Sequence, residues 1–236
     1  MNKIIVDYRI LSEEKNTLYQ IGYDSIECTP CSTLYNAVCG HPDMLMHFVD
    51  ATNVVVHKNM HSNFIDTLKN LGFDVHFSKN ELCDKYPFDI SLNAVNLSNH
   101  FIHLLNYTDE TLLSLIQNKK LINVKQGYTK CSTAVVSDNA IITSDKSIAK
   151  ALKNEDSIDV LLIPPGDITL PGLDYGFIGG CCGLLDKETM AFYGDLNFYK
   201  YGDEVIKFLF KHNVKPLYLR KGKLIDRGTL ICLDAL

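Results

Sequence analysis

Five short polar segments hold the side chains of this sequence that could do chemistry. They read Cys39-Gly40-His41-Pro42-Asp43, Asn93-Ala94-Val95-Asn96, Lys130-Cys131-Ser132-Thr133, Gly179-Gly180-Cys181-Cys182-Gly183 and Asp226-Arg227-Gly228-Thr229. A thiolate is a nucleophile, an imidazole moves protons near neutral pH, and carboxylates hold cations by charge-assisted hydrogen bonds. Cys181 and Cys182 follow two glycines, and a residue without a Cβ lets the backbone approach a ligand closely. Consecutive strand residues point to opposite faces, so the pair leaves open which thiol reacts. Cys131 is a rival nucleophile, because its neighbour Lys130 is of a type that lowers a thiol pKa.

Other groupings carry less. Cys28-x-x-Cys31 with Cys39 and His41 offers ligand types suited to zinc, but the spacing is more compact than that of common fingers. Loop thiols are the plainer reading, and no metal or other cofactor is expected. His57 and His61 straddle a helix start without an acidic companion, and His100 and His103 fit structural positions on a strand. Pro164-Pro165-Gly166-Asp167 and Leu170-Pro171-Gly172-Leu173-Asp174 mark a long irregular connection. It reads either as a plain crossing loop or as a lid, with Asp174 and Tyr175 near a pocket mouth. No dinucleotide fingerprint in its strand-turn-helix context, Walker loop, Gly-x-Ser-x-Gly elbow or zinc-protease helix occurs.

The elements that must position these residues repeat. Each unit reads as apolar strand, polar turn, apolar strand, amphipathic helix and closing strand. Helices are expected from Ser12, near Ser62, from Thr108, from Ser144 and from Gly202, a period of about 47 residues. Strand pairs are expected at Leu45–Val49 with Asn53–His57, Ile90–Val95 with His100–Leu105, Ser132–Val136 with Ala140–Thr143, and Gly183–Leu185 with Met190–Tyr193. Closing strands follow at 24–28, 74–77, 120–124, 159–163 and 214–219. The last strand, Thr229–Leu233, has no partner downstream; its natural partner is Lys3–Asp7, which would close a ring. The five polar segments are the lead-ins to the first strands, so a ring turns them toward one centre. An ordinary open α/β sheet is the competing architecture.

Composition bounds the rest. At 236 residues, 46% hydrophobic and 22% charged, the chain reads as one α/β domain over residues 1–236 with a sizeable core. The net charge of −5 without a basic stripe argues against nucleic acid. No apolar run approaches a membrane span, and no leader peptide is expected. Eight cysteines without an export signal fit a reducing cytoplasm. Self-association as a homo-oligomer is left open.

The modular order, His41-Pro42-Asp43 followed by Val49-Asp50, and Gly179-Gly180-Cys181-Cys182 resemble the pentein fold, the five-bladed α/β propeller of the guanidino-group-modifying enzymes. Arginine deiminases carry a similar His-x-Asp with a second Asp at the same distance, and a Gly-rich segment before the nucleophilic Cys. The whole chain also resembles an uncharacterised bacterial family assigned to that fold. That likeness rests on Gly40-His41-Pro42-Asp43, Lys125-Gln126-Gly127-Tyr128-Thr129-Lys130-Cys131 and Tyr175-Gly176-Phe177-Ile178-Gly179-Gly180.

The resemblance implies a cysteine-dependent hydrolase or transferase acting on a small guanidine- or amidine-type C–N substrate. Cys181 or Cys182 would be the nucleophile, His41 the acid/base and Asp43 the substrate clamp. Asn93, Lys130, Cys131, Asp174, Asp226 and Arg227 are the substrate-binding candidates, Asp226 as a second carboxylate by module position. The alternative is a non-catalytic binding protein like the ribosome anti-association factors that share the fold, favoured by the missing carboxylate motifs.

Overall fold

Five apolar runs form the middle strands of five separate three-stranded sheets, and each is buried on both faces, as strands covered on both sides must be. The computed structural model describes residues 1–236. The chain opens with β1 (Asn2–Val6), α1 (Ser12–Gln20) and β2 (Tyr23–Glu27). A short helix, α2 (Pro42–Leu45), leads into β3 (Met46–Phe48), β4 (Asn53–Val56), α3 (Ser62–Asn70) and β5 (Asp74–Phe77). Next come β6 (Val95–Asn96), β7 (His100–His103), α4 (Glu110–Leu115) and β8 (Lys120–Asn123). Then follow β9 (Thr133–Ser137), β10 (Ala140–Thr143), α5 (Lys146–Leu152) and β11 (Asp159–Leu162). The chain ends with β12 (Cys182–Asp186), β13 (Thr189–Phe192), α6 (Gly202–Lys211), β14 (Lys215–Tyr218) and β15 (Ile231–Cys232).

In every sheet the middle strand pairs antiparallel with one neighbour and parallel with the strand beyond its helix. The same rule holds in the sheets of β9 and β12. Parallel pairing requires a crossover, which the five amphipathic helices supply. The first sheet is built from both ends of the chain: β15 lies antiparallel to β1, with Ile4 opposite Cys232 and Ile5 opposite Ile231. This is the terminal pairing expected from the sequence.

One cavity of about 200 Å³ is lined by His47 of β3, Asn96 of β6, Val135 of β9, Leu184 of β12 and Ile231 of β15. The first strands of the four internal sheets and the last strand of the chain therefore border a common space. This inner cavity is mainly apolar, with Met46, Phe48, Leu92 and Met190 in its wall.

Helix starts shift from expectation by about one residue, for a chemical reason. Asp109 Oδ1 accepts from the Thr111 amide at 2.9 Å, and Asp145 Oδ1 accepts from the Ser147 and Ile148 amides at 2.7 and 3.0 Å. Asp outcompetes the neighbouring Thr108 and Ser144 as N-cap. The Thr108 hydroxyl is instead paired with His103 Nδ1 at 2.7 Å. Ser12 is inside α1, which starts after Leu11, and Glu14 reaches back to accept from the Leu11 amide at 2.8 Å. Gly22 and Gly72, at φ of 96° and 95°, follow α1 and α3 in the left-handed conformation that ends helices. The strand expected over Ile90–Val95 is shorter, Val95–Asn96, because its lead-in folds into a turn that anchors Asn93.

Candidate functional site

Three lead-in segments border the inner cavity, through Asp43, Lys130 and Thr229, and the same three border a second one, called the outer cavity. The outer cavity encloses about 330 Å³ and is bordered by Tyr35, Val38, His41, Tyr128, Cys131, Leu170, Leu173, Asp174, Tyr175, Phe177 and Asp226. It is of small-molecule size, with an apolar wall and few convergent polar groups.

The loop Gln126–Cys131 presents the thiol. Thr129 Oγ1 donates to the Gln126 carbonyl at 2.6 Å, and Gln126 Nε2 donates to Asp145 Oδ2 at 3.0 Å. Asn93 then fixes the end of that loop. Its Oδ1 accepts from the Lys130 and Cys131 amides at 2.9 and 3.1 Å. Its Nδ2 donates to the Asp43 carbonyl at 2.9 Å and to Cys131 Sγ at 3.1 Å. One buried amide side chain thus locks the thiol loop to the His41–Asp43 segment.

The Cys131 thiol donates to Asp43 Oδ2 at 3.3 Å, and both residues are almost fully buried. Burial raises the Asp43 carboxyl to about 6, against lowering by His41 and Lys130. Burial also pushes the Cys131 thiol well up, reinforced by Asp43 and Asp226. The resting pair is a neutral thiol beside a carboxylate that titrates within reach of neutral pH. The Lys130 ammonium, expected beside this thiol, turns away. Its Nζ donates to Thr229 Oγ1 at 3.0 Å and borders the inner cavity.

His41 is 1% exposed and stands between two carboxylates. Its Nδ1 lies 3.8 Å from Asp226 Oδ1, and its Nε2 lies 3.9 Å from Asp7 Oδ2. Neither ring nitrogen has a hydrogen-bond partner within the protein. Asp7, at the end of β1, is itself held by the Arg9 guanidinium. Asp226 accepts from the Phe177 amide at 2.8 Å and the Gly228 amide at 3.0 Å.

The glycines around Phe177 exist for Asp226. A Cβ on Gly180 would stand 1.9 Å from Asp226 Oδ1, and one on Gly176 would stand 2.4 Å from Asp226 Cβ. On Gly179 it would meet the Thr133 carbonyl oxygen at 2.3 Å. The glycine-rich segment therefore clears space for a carboxylate and for neighbouring backbone.

The sequence candidates divide accordingly. His41, Cys131, Asp174 and Asp226 border the outer cavity; Asp43, Lys130 and Cys182 border the inner one. Asn93 borders neither and acts as the clamp between segments. Cys181 and Cys182 both direct their thiols to the Ile178 carbonyl, at 3.1 and 3.3 Å, inside an apolar cluster with Phe192 and Met190. Neither borders the outer cavity with His41.

Arg227 points away to the buried Glu14, with Nε 3.3 Å from Oε2 and an NH1 bond of 2.8 Å to the Arg9 carbonyl. Asp50 is exposed and accepts from the Thr52 and Asn53 amides in the β3–β4 turn, far in role from a substrate carboxylate. Cys31 contacts Thr33 and His57, and Cys39 contacts Tyr8 and Asn36. No group of three His, Cys, Asp or Glu side chains converges as metal ligands.

Sequence reasoning missed Asp7 and the aromatic wall. Tyr128 and Phe177 rings lie 6.2 Å apart, Tyr175 and Phe177 6.0 Å apart. The Tyr128 hydroxyl donates to Asp89 Oδ2 at 2.5 Å and receives a long contact of 3.5 Å from Tyr35. Tyr128 and Tyr175 were visible in the motifs, but nothing in their spacing announced a shared wall. An aromatic wall beside Asp174 and Asp226 suits a small planar cation, which π faces and carboxylates both attract.

Comparison with solved structures supports the architecture. The chain is similar to SxtG, an amidinotransferase of the saxitoxin biosynthetic pathway from Microseira wollei, with a TM-score of 0.54 and 11% identity over 92% of this chain and 88% of that one. It is similar to the inosamine-phosphate amidinotransferase StrB1 of Streptomyces griseus, with a TM-score of 0.57 and 11% identity over 93% and 88%. It is also similar to a DDAH from Pseudomonas aeruginosa complexed with citrulline, with a TM-score of 0.56 and 10% identity over 92% and 91%. These likenesses establish the fold, which is of the pentein type expected from the sequence. No curated protein sequence matches the chain. The sequence profile of one family covers residues 5–231, and the chain belongs to that family, a family of unknown function, DUF6873.

Proposed function

We propose that the protein is a thiol enzyme acting on a small amidine- or guanidine-type cation, with Cys131 as the nucleophile. The observation that carries this reading is the convergence of Cys131, His41 and Asp226 on one cavity, with Asp43 bonded to the Cys131 thiol. The solved structures of similar fold support it by the activities in their names, since two are amidinotransferases.

The chemistry follows from the positions. A planar cation enters between the aromatic wall and the carboxylates of Asp174 and Asp226. Its positive charge favours the anionic states nearby, so the Cys131 proton passes to Asp43 as Sγ bonds to the amidine carbon. The C=N electron pair moves onto nitrogen. A protonated His41 then gives its proton to the leaving amine, and the C–N bond breaks with its electron pair. Water or an acceptor amine attacks the sulfur-bound carbon and loses a proton to His41. The C–S bond breaks, and Asp43 returns the proton to sulfur. Thr229, Lys130 and Asn93 hold the segments that carry these groups.

The test is turnover across a panel of amidines and guanidines, read as ammonia or amine release. Cys131→Ala and His41→Ala are expected to abolish it, while Cys181→Ala retains it in protein that remains folded. Turnover lost with Cys181 and kept without Cys131 would reverse the assignment.

One observation favours the second reading, a non-catalytic binding protein: burial and two carboxylates raise the Cys131 thiol rather than lower it. Binding of an amidine with no turnover by any member of the panel would select that reading.

A further inference from the structure

Cys181 and Cys182 take no part in the outer cavity, yet their placement is specific. Consecutive residues of a strand point to opposite faces. Here the chain turns between them: Cys181 ends a 3₁₀ turn, Ile178–Cys181, and Cys182 begins β12. Both thiols therefore come to one side and share one acceptor, the Ile178 carbonyl, at 3.1 and 3.3 Å. The pair is a vicinal dithiol whose two S–H groups fasten the chain to the start of that turn.

The same turn holds two groups of the outer cavity. The Gly179 amide donates to the Cys131 carbonyl at 2.8 Å. The Gly180 carbonyl accepts from the Arg227 and Thr229 amides, each at 2.9 Å, and its Cα packs against the Asp226 carboxylate. Just beyond, the Cys182 carbonyl accepts from Thr229 Oγ1 at 2.7 Å. Cys131 and Asp226 are thus positioned by backbone that the dithiol ties down.

The dithiol can be reached through Cys182. Cys182 borders the inner cavity, which opens to solvent at Leu236, 43% exposed, whereas Cys181 borders neither cavity. Burial pushes the Cys181 thiol well up, reinforced by Cys182 beside it, so Cys181 does not open a thiol exchange. The mainly apolar wall of the inner cavity suits a small uncharged reagent.

We propose that Cys181 and Cys182 form a redox-modification site: a low-molecular-weight disulfide entering the inner cavity oxidises them to a vicinal disulfide, and this loosens the turn that places Cys131 and Asp226. The exchange runs in two steps. Cys182 gives its proton to water, its sulfur bonds to one sulfur of the reagent, and the reagent's S–S bond breaks with its electron pair on the departing thiolate. The Cys181 sulfur then bonds to the Cys182 sulfur and passes its proton to the second departing thiolate. Two cysteine thiols are oxidised and one disulfide is reduced to two thiols. Consecutive Cα atoms stand about 3.8 Å apart, whereas a relaxed disulfide spans roughly 4.4–6.8 Å between them. The vicinal bond is therefore strained and readily reversed. Its formation also removes both S–H donors from the Ile178 carbonyl. The inference goes beyond the amidine reading and holds whatever the substrate of the outer cavity.

The experiment treats the whole protein with 2-hydroxyethyl disulfide, removes the excess and reads tryptic peptides by mass spectrometry. The peptide 154–187 holds these two cysteines and no other. It is expected to lose the mass of two hydrogens and to regain it with dithiothreitol. In the oxidised protein iodoacetamide is expected to alkylate Cys131 about fivefold faster, the worth of one lost hydrogen bond. Cys181→Ser is expected to trap a mercaptoethanol mixed disulfide on Cys182, and Cys182→Ser to show neither an adduct in that peptide nor faster alkylation of Cys131. Serine keeps a hydroxyl donor for the Ile178 carbonyl; if either variant does not fold, the peptide mass and the Cys131 rate in wild type decide alone. A peptide 154–187 unchanged by the reagent overturns the inference, and so does a vicinal disulfide that leaves the Cys131 rate unchanged. Both outcomes leave the amidine reading standing, and absence of amidine turnover leaves this inference standing.

Discussion

Asp43→Asn should stabilise the protein in alkali and abolish its activity, and the two effects have one cause. The carboxyl is 3% exposed, and burial lifts it from 3.8 to about 6. A carboxyl whose folded pKa is raised binds its proton more tightly in the folded state. Its contribution to stability is therefore greatest in acid and is lost as pH rises through the folded value. The full difference is about 3 kcal/mol. Between pH 5 and pH 8 the part still to be lost is about 1.4 kcal/mol, because some of the change has occurred below pH 5. Asn cannot ionise, so the melting temperature of the variant relative to wild type should rise by about 4 °C across that interval for a chain of this size. Melting curves of both proteins at pH 5 and pH 8, at fixed ionic strength, read the difference directly. Turnover of any amidine substrate should fall by about 10² to 10⁴ in the same variant, because the thiol loses its proton acceptor. A melting difference that is constant with pH, or that falls toward pH 8, would refute the assignment of a strained buried carboxylate at Cys131.

Arg227→Ala should destabilise by less than the about 3–5 kcal/mol of a buried charge left unpaired, since Arg220 and the Leu11 amide still hold the Glu14 carboxylate; denaturant titration against wild type measures it. Gly180→Ala should displace Asp226, because the new Cβ would stand 1.9 Å from Asp226 Oδ1, and amidine affinity should fall at least tenfold in whatever protein folds. Asn93→Ala should lose the joint anchoring of Lys130, Cys131 and Asp43, read as a drop of about 2–3 kcal/mol in chemical denaturation together with faster alkylation of Cys131. Burial lowers His47 to about 4 and His103 to about 3, so these residues favour the folded state above the unfolded histidine value and lose that contribution as pH falls. The melting temperature should accordingly fall on acidification from pH 6.5 toward pH 4, and a flat profile there would contradict their burial as neutral imidazoles.

The repeat was legible because its cause is local. Runs such as Val54-Val55-Val56 and Ala140-Ile141-Ile142 must be covered on both faces, and each amphipathic helix supplies one cover. Pairing of Lys3–Asp7 with the last strand followed from the lack of any other partner. The five lead-in segments were also legible as the place where polar residues gather.

What they do there was not, because it depends on contacts between segments far apart in the chain. Choosing among Cys131, Cys181 and Cys182 needs the position of Asn93, which is 38 residues from Cys131. The glycines before Cys181 suggested close approach of a substrate, yet the atoms they admit belong to Asp226 and to the Thr133 carbonyl. Arg227 looked like a binding cation, but its length lets it turn back to Glu14. Asp7 closes an apolar strand and looks like a simple strand end until His41 is placed beside it.

The central claim is that Cys131 is the thiol presented to a cationic amidine. It is tested most directly by treating the protein with 2-chloroacetamidine and, separately, with the uncharged 2-chloroacetamide, followed by peptide mass spectrometry. The amidine reagent should label Cys131 faster than the neutral one, and Cys131→Ser should lose that label while Cys181→Ser and Cys182→Ser keep it. Labelling confined to Cys181, Cys182 or the partly exposed Cys83, or equal rates for the two reagents at Cys131, would contradict it.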